Sequence, residues 1–259
     1  MEDTLFYDST ERLVRDTFDR AAVRRGSSGD WLADAWGSLE SAGMLQALVP
    51  EDKGGFGIEP SQAADVLRLV GYWAIPLPLS EAMLAHGLLT RAGIDVPDGV
   101  LTLAPPRKTA THIIRSGNKC SVKGTATRVP WARHASSVVL ITQADDGVDI
   151  CVLPIDQCQV VEGSNLAGEP RDDLTFDCDI DAAYVGTLGD LSADLVHAAG
   201  AALRAVMLAG AANRILDLSV EYACEHHQFG RPIAKFQAIQ QNLAIIGGQA
   251  AVCRACGDM

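Results

Sequence analysis

The segment Glu225-His226-His227-Gln228-Phe229-Gly230-Arg231-Pro232-Ile233 gathers imidazole, amide, aromatic and guanidinium side chains around a glycine–proline turn. Two adjacent histidines suggest a metal, but neighbours on a helix point about 100° apart, so His226 and His227 make a poor ligand pair. Cys253-x-x-Cys256 is the only tight cysteine pair. It lies in sequence that reads as helical and has no second half to complete a zinc site, which favours ordinary packing. Gly54-Gly55-x-Gly57 lacks the G-x-G-x-x-G spacing, follows no strand and carries no P-loop Lys-Ser/Thr, so it reads as a turn. No G-x-S-x-G elbow and no H-E-x-x-H helix occurs. Neither catalytic nor metal-ligating residues are assigned.

The elements that must position these residues fall into three parts. Residues 1–95 read as helical. Leu13, Val14, Phe18, Ala21 and Ala22 form an apolar stripe after the N-cap cluster Asp8-Ser9-Thr10. A second helix is expected from Asp30 to Ala42, stopping at Gly43; a third runs from Ser61 to about Trp73, and a fourth from Ser80 to about Ala92. Pro76 and Pro78 separate the last two. Residues 96–188 change character. Short Val-, Ile- and Leu-rich runs at Val100–Leu103, Ser137–Thr142, Asp149–Leu153 and Leu174–Phe176 predict a small, mainly antiparallel β-domain. Residues 189–259 turn helical again, from Leu191 to about Cys224 and once more after the Gly230–Pro232 turn. The expected fold class is α+β: an N-terminal helical domain, a central β-domain and a C-terminal helical bundle. That bundle is expected to be incomplete, because the chain stops at Met259 inside helical sequence and its apolar stripe wants further partners.

With 259 residues, 48% hydrophobic and 21% charged, the composition is that of a globular protein. A formal net charge of -12 argues against a nucleic-acid surface. No uninterrupted apolar run approaches the roughly 20 residues that span a bilayer, and the start Met1-Glu2-Asp3-Thr4 shows no secretory signal. Seven scattered cysteines without a signal fit a reducing cytoplasm.

Glu225–Ile233, followed by Phe236-Gln237-x-Ile239-Gln240-x-x-Leu243-Ala244, resembles the acyl-CoA dehydrogenase pattern E-R-x-Q-F-G-x-P-I-x-x-F-Q-x-x-Q-x-x-L-A. Val49-Pro50-Glu51-Asp52-x-Gly54-Gly55-x-Gly57 and Pro76-x-Pro78 are similar to the N-terminal helical domain of that family. The resemblance implies FAD as cofactor, an acyl-CoA thioester as substrate and a homologous subunit as partner. It also implies a carboxylate that removes the Cα proton while the Cβ hydride passes to the flavin. His226, Gln228, Phe229 and Gln237 are the cofactor-binding residues it implies.

Three departures qualify this. His226 stands where the family has an Arg on the FAD pyrophosphate, exchanging a planar fork of fixed charge for an imidazole. Weakened contact and no contact both stay open for His226. The flavin-facing stretch G-x-K-x-W-I-T-N is represented by Gly124–Trp131, with Pro130 and Trp131 in place of Thr and Asn, and nothing like T-E-P-x-x-G-S-D follows Thr102–Pro106. The catalytic carboxylate is missing: the alternative family position falls near Gly200 and Ala201, and Asp194 and Asp217 lie several turns away. The expected role is the non-catalytic partner in a hetero-oligomeric acyl-CoA dehydrogenase, resembling actinobacterial steroid side-chain enzymes. A flavin-free scaffold and an active homo-oligomer remain the alternatives. Leu84 and Leu88 are read as core before acyl pocket.

Overall fold

The computed structural model describes residues 2–106 and 109–258, so Met1, Arg107, Lys108 and Met259 lie outside it. Helices come first: α1 (Glu2–Thr17), α2 (Arg20–Ser27), α3 (Ala33–Ser41), α4 (Pro60–Tyr72) and α5 (Leu79–Arg91). Eight strands follow: β1 (Leu101–Leu103), β2 (Thr109–Ser116), β3 (Lys119–Pro130), β4 (Ser137–Ala144), β5 (Gly147–Pro154), β6 (Cys158–Val161), β7 (Arg171–Asp181) and β8 (Val185–Leu188). Helix α6 (Ala193–Glu225), a short hairpin β9 (His227–Gln228) and β10 (Arg231–Pro232), and α7 (Gln237–Gly257) complete the described chain. The class is α+β, as the sequence predicts.

Two sheets build the β-region, in the orders β1-β4-β5-β8 and β2-β3-β7-β6. Every pairing within them is antiparallel except β1 with β4. The run Val138-Val139-Leu140-Ile141 is apolar throughout because β4 is covered on both faces. Val139 and Ile141 join Leu101, Ile150, Leu88 and Leu89 of α5 in one core, while Val138 and Leu140 join Val122, Leu174 and Phe176 in a second. Leu88 is thus core, with Leu84 packed against it. Strand β7 instead alternates, burying Leu174 and Phe176 and exposing Thr175 and Asp177, because it has one dry face.

The N-terminal reading needs one correction. Asp8-Ser9-Thr10 lies inside α1 rather than capping it. The chain breaks after Thr17, and Asp19 supplies the cap instead, its carboxylate accepting from Ala22 N–H at 2.7 Å to start α2. Gly43 ends α3 with φ 73°, and Gly54 turns the breaker-rich loop with φ 85°. These are backbone shapes that favour glycine.

The described chain divides into two compact units that interleave in sequence. One comprises residues 1–18, 60–75 and 202–259; the other, 19–59 and 76–201. In the first, α4 and α6 meet backbone to backbone. A Cβ on Gly71 would sit 1.8 Å from Met207 O, and one on Gly210 would sit 2.0 Å from Arg68 O. Helix α6 also corrects the membrane expectation. By length and composition it could cross a bilayer, with a mean hydropathy of 1.5 over its most apolar window. Its glycine contact with α4 commits one face of it to protein packing.

Candidate functional site

The four candidate residues, His226, Gln228, Phe229 and Gln237, lie between the end of α6 and the start of α7, within a single unit. Helix α6 stops at Glu225, where His226 N–H still reaches back to Tyr222 O at 2.8 Å. Phe229 and Gly230 both have positive φ, 53° and 76°, so the link between β9 and β10 is a tight primed hairpin. Gly230 suits that shape without strain, whereas Phe229 adopts it against its preference. Ile233 N–H donates to His226 O at 2.9 Å and ties the hairpin's far end to its near end.

The hairpin presents its side chains outward. Phe229 is 92% exposed at the tip. Its ring meets Phe236 edge-on at 6.1 Å, and the Arg231 guanidinium lies 4.3 Å over the Phe236 ring. His226 stacks on Tyr222 at 4.9 Å with only 13° between planes, which fixes its orientation. Gln228 Nε2 lies 3.2 Å from His226 Nε2. With the amide as donor, Nε2 is the accepting nitrogen and Nδ1 is the ring's donor position. Gln237 opens α7 and is exposed. Helix α7 has no side-chain cap at its N-terminus. Between His226 and Gln237 the chain contains no Asp or Glu, while Arg231 and Lys235 supply positive charge beside the hairpin. On a chain of net charge -12 this is a local basic stretch that suits an anion.

Within the same unit Asp217 is occupied. It accepts from Tyr72 Oη at 2.8 Å, and Arg214 Nη1 donates to the same hydroxyl at 3.3 Å while its guanidinium lies 5.0 Å from the Tyr72 and Trp73 rings. Burial, followed by the bond to Asp217, raises the Tyr72 pKa. The cluster faces a polar cleft of about 580 Å³ that Tyr7, Arg68 and Asn213 also line. Sequence reading missed this group, whose members are 145 residues apart in the chain.

In the other unit, the end of β3 is closed. Trp131 is 1% exposed with φ 55°. Its ring lies 6.1 Å from Trp31 and 5.8 Å from His134, and Trp31 stacks on His134 at 5.5 Å. The fully buried Asp172 fixes the turn that follows, accepting from Arg133 N–H at 2.8 Å and from its guanidinium at 2.5 Å. Gly200 and Ala201 on α6 carry no acid. Among the described residues no group of three or more His, Cys, Asp or Glu is placed to hold a metal. Cys253 and Cys256 are exposed on α7.

A helical, then β, then helical chain with an exposed Gln-Phe-Gly hairpin between two long helices is built as acyl-CoA dehydrogenases are. The family model described as acyl-CoA dehydrogenase, C-terminal domain, matches residues 198–257. Acyl-CoA dehydrogenase FadE27 of Mycobacterium tuberculosis is 28% identical over 239 residues, covering 82% of this chain. The chain spans 61% of that relative's length. Acyl-CoA dehydrogenase IpdE2 of Mycolicibacterium smegmatis is 28% identical over 258 residues, covering 98% of this chain and 75% of its own. Among solved structures, a Tcur3481-Tcur3483 steroid ACAD variant superposes with TM-score 0.81 at 22% identity, over 99% of this chain and 76% of that one. The ChsE4-ChsE5 complex from Mycobacterium tuberculosis gives 0.80 at 21%, over 98% and 76%. Residues 198–257 match the C-terminal domain of acyl-CoA dehydrogenases, and the chain is similar in sequence and in fold to members of that family.

Proposed function

We propose that this chain is the non-catalytic subunit of a hetero-oligomeric, FAD-dependent acyl-CoA dehydrogenase that desaturates a bulky acyl-CoA thioester. One observation supports the reading: the chain carries an exposed, donor-rich hairpin, while the family's carboxylate position on α6, near Gly200 and Ala201, holds no acid and Asp194 lies back in the helix's first turn. Asp217 does not replace it, being held by Tyr72. Proton abstraction at Cα needs a carboxylate in a dry site, aligned with the acceptor of the hydride. That residue belongs to the partner.

The donor set at the hairpin fits the diphosphate and adenine of FAD. His226 offers an N–H, Gln228 and Gln237 offer amides, Arg231 and Lys235 offer charge, and Phe229 offers an open ring face. When bound, FAD supplies the hydride acceptor. The chain's own contribution is to hold the cofactor's polar end and to cover the partner. Leu208, Ile215 and Tyr222 on α6 are 68%, 58% and 59% exposed at seven-residue intervals. Ile245 and Val252 on α7 repeat that spacing at 63% and 57%. Such stripes are what a packed helix of another subunit would cover. Relatives that include a steroid enzyme and a two-protein complex support a bulky acyl group and a heteromeric assembly.

The test is purification of the chain alone and co-expressed with a homologous acyl-CoA dehydrogenase subunit, followed by visible absorbance and acyl-CoA turnover. A yellow, active complex formed only with the partner supports the reading. Absence of flavin from every combination would sink it.

A further inference from the structure

We infer that the cleft bounded by α3, the loop after it and the C-terminal end of α5 is a binding site for an aliphatic diammonium ion, a short alkyl chain with an ammonium at each end. All of its walls lie in the unit formed by residues 19–59 and 76–201. The inference does not depend on the functional reading above.

The cleft measures about 520 Å³. His86 lines it from the middle of α5 with only 6% of its surface exposed. Ala82, Met83 and Leu89, three and four residues away, are fully buried and carry His86 inward with them. Thr90, one turn beyond His86, lines the same cleft. Among the described residues none hydrogen-bonds the imidazole. A buried polar group without a partner destabilises the fold, and a ligand can supply the missing bond. Burial also lowers the His86 pKa to about 4, so at neutral pH the ring keeps a lone pair for an N–H donor.

The rim supplies the charge. Glu40 on α3 and Asp95 and Asp98 after α5 set three carboxylates against one ammonium, that of Lys53, a surplus of two negative charges. None of these four has an ion-pair partner among the described residues. They are not drawn together as the ligands of one metal ion would be. Two separated positive charges answer the surplus, and the apolar walls Val49, Ile94 and Val96 suit the methylenes between them. The acidic loop is anchored at both ends. Ile94 N–H donates to Leu89 O at 3.0 Å and its side chain joins the core with Leu88 and Leu89, while Val100 O accepts from Ser136 N–H at 2.8 Å. Little ordering is then needed when a ligand binds.

The experiment is a calorimetric titration of the whole purified chain with 1,4-diaminobutane, 1-aminobutane and magnesium chloride. The diamine should bind at least about tenfold more tightly than the monoamine, and magnesium should not displace it. Asp98→Asn, at an exposed loop position, should weaken the diamine by about fivefold. Lys53→Met, also exposed, should tighten it, because the one repelling charge is gone. His86→Leu should weaken it in protein whose circular dichroism is unchanged. Asp145→Asn, on the exposed turn between β4 and β5, should leave the affinity where it was. Absence of diamine binding, equal binding of the monoamine, displacement by magnesium, or a Lys53→Met variant that binds more weakly each overturns the inference. So does an Asp145→Asn loss as large as that of Asp98→Asn, which would mean attraction to an acidic surface in general.

Discussion

The rings of Trp31 and Trp131 meet edge to face with centroids 6.1 Å apart, joining the loop before α3 to the end of β3. Trp131 is the more deeply buried, at 1% exposure. Trp131→Ala should therefore cost about 3–5 kcal/mol of folding stability, the usual range for emptying a large aromatic site. Chemical denaturation checks this; a loss below about 1 kcal/mol would show that the cluster is loosely packed.

Asp172 is a fully buried carboxylate whose partners are Arg133 and two backbone N–H groups. Replacing it by Asn keeps the volume and removes the charge that answers the guanidinium. Asp172→Asn should lower stability by about 1–3 kcal/mol, since Arg133 loses its buried partner and keeps only the exposed Glu162 and Gly163 O. Arg133→Met should recover part of that loss in the double variant, measured as a mutant cycle.

His86 on α5 is buried, and burial lowers its pKa from 6.5 to about 4. The folded protein then binds fewer protons than the unfolded chain between those values. The resulting stability is fully present above the unfolded pKa and is lost as pH falls from about 6.5 toward 4, by up to about 3 kcal/mol. Thermal midpoints measured from pH 7.5 to 4.5 should fall steeply in the wild type and less steeply in His86→Leu. Parallel curves would remove His86 as the cause.

Phe229 touches little of its own chain, with 92% of its surface exposed. Phe229→Ala should leave the melting temperature of the isolated chain within the scatter of a surface change, about 0.5 kcal/mol. The same variant should lose flavin on gel filtration of the complex with its partner. Unchanged retention would remove Phe229 from the cofactor surface.

The α+β class and most helices were legible because each had its own local signal: an apolar stripe for the first helical stretch, prolines between α4 and α5, glycine at the end of α3, and doubly covered β4 and β5 as apolar runs. Strand β3 gave no such signal. Lys119–Pro130 alternates small and polar residues and is interrupted by a bulge between Ala126 and Val129, where Arg128 has φ 58°. Its identity as a central strand comes from pairing with β2 and β7, which no local window contains. A turn at Gly230–Pro232 was legible from its glycine and proline, but the hairpin was not: its two-residue strands are too short to leave a pattern, and its turn falls at Phe229-Gly230. The closure by Trp31, Trp131 and His134 was not, because three residues spread over 103 positions meet only after the sheets and helices fold. Pro130 and Trp131 were visible as departures from a pattern; that they seal the surface is a fact of packing.

Flavin stoichiometry of the complex tests the central claim most directly. The chain is co-purified with its homologous partner, and bound FAD is measured by visible absorbance against total protein. If this chain is the non-catalytic subunit, one flavin should be found for each pair of unlike subunits, and turnover should require the complex. Two flavins per pair, or a yellow and active preparation of this chain by itself, would contradict the account.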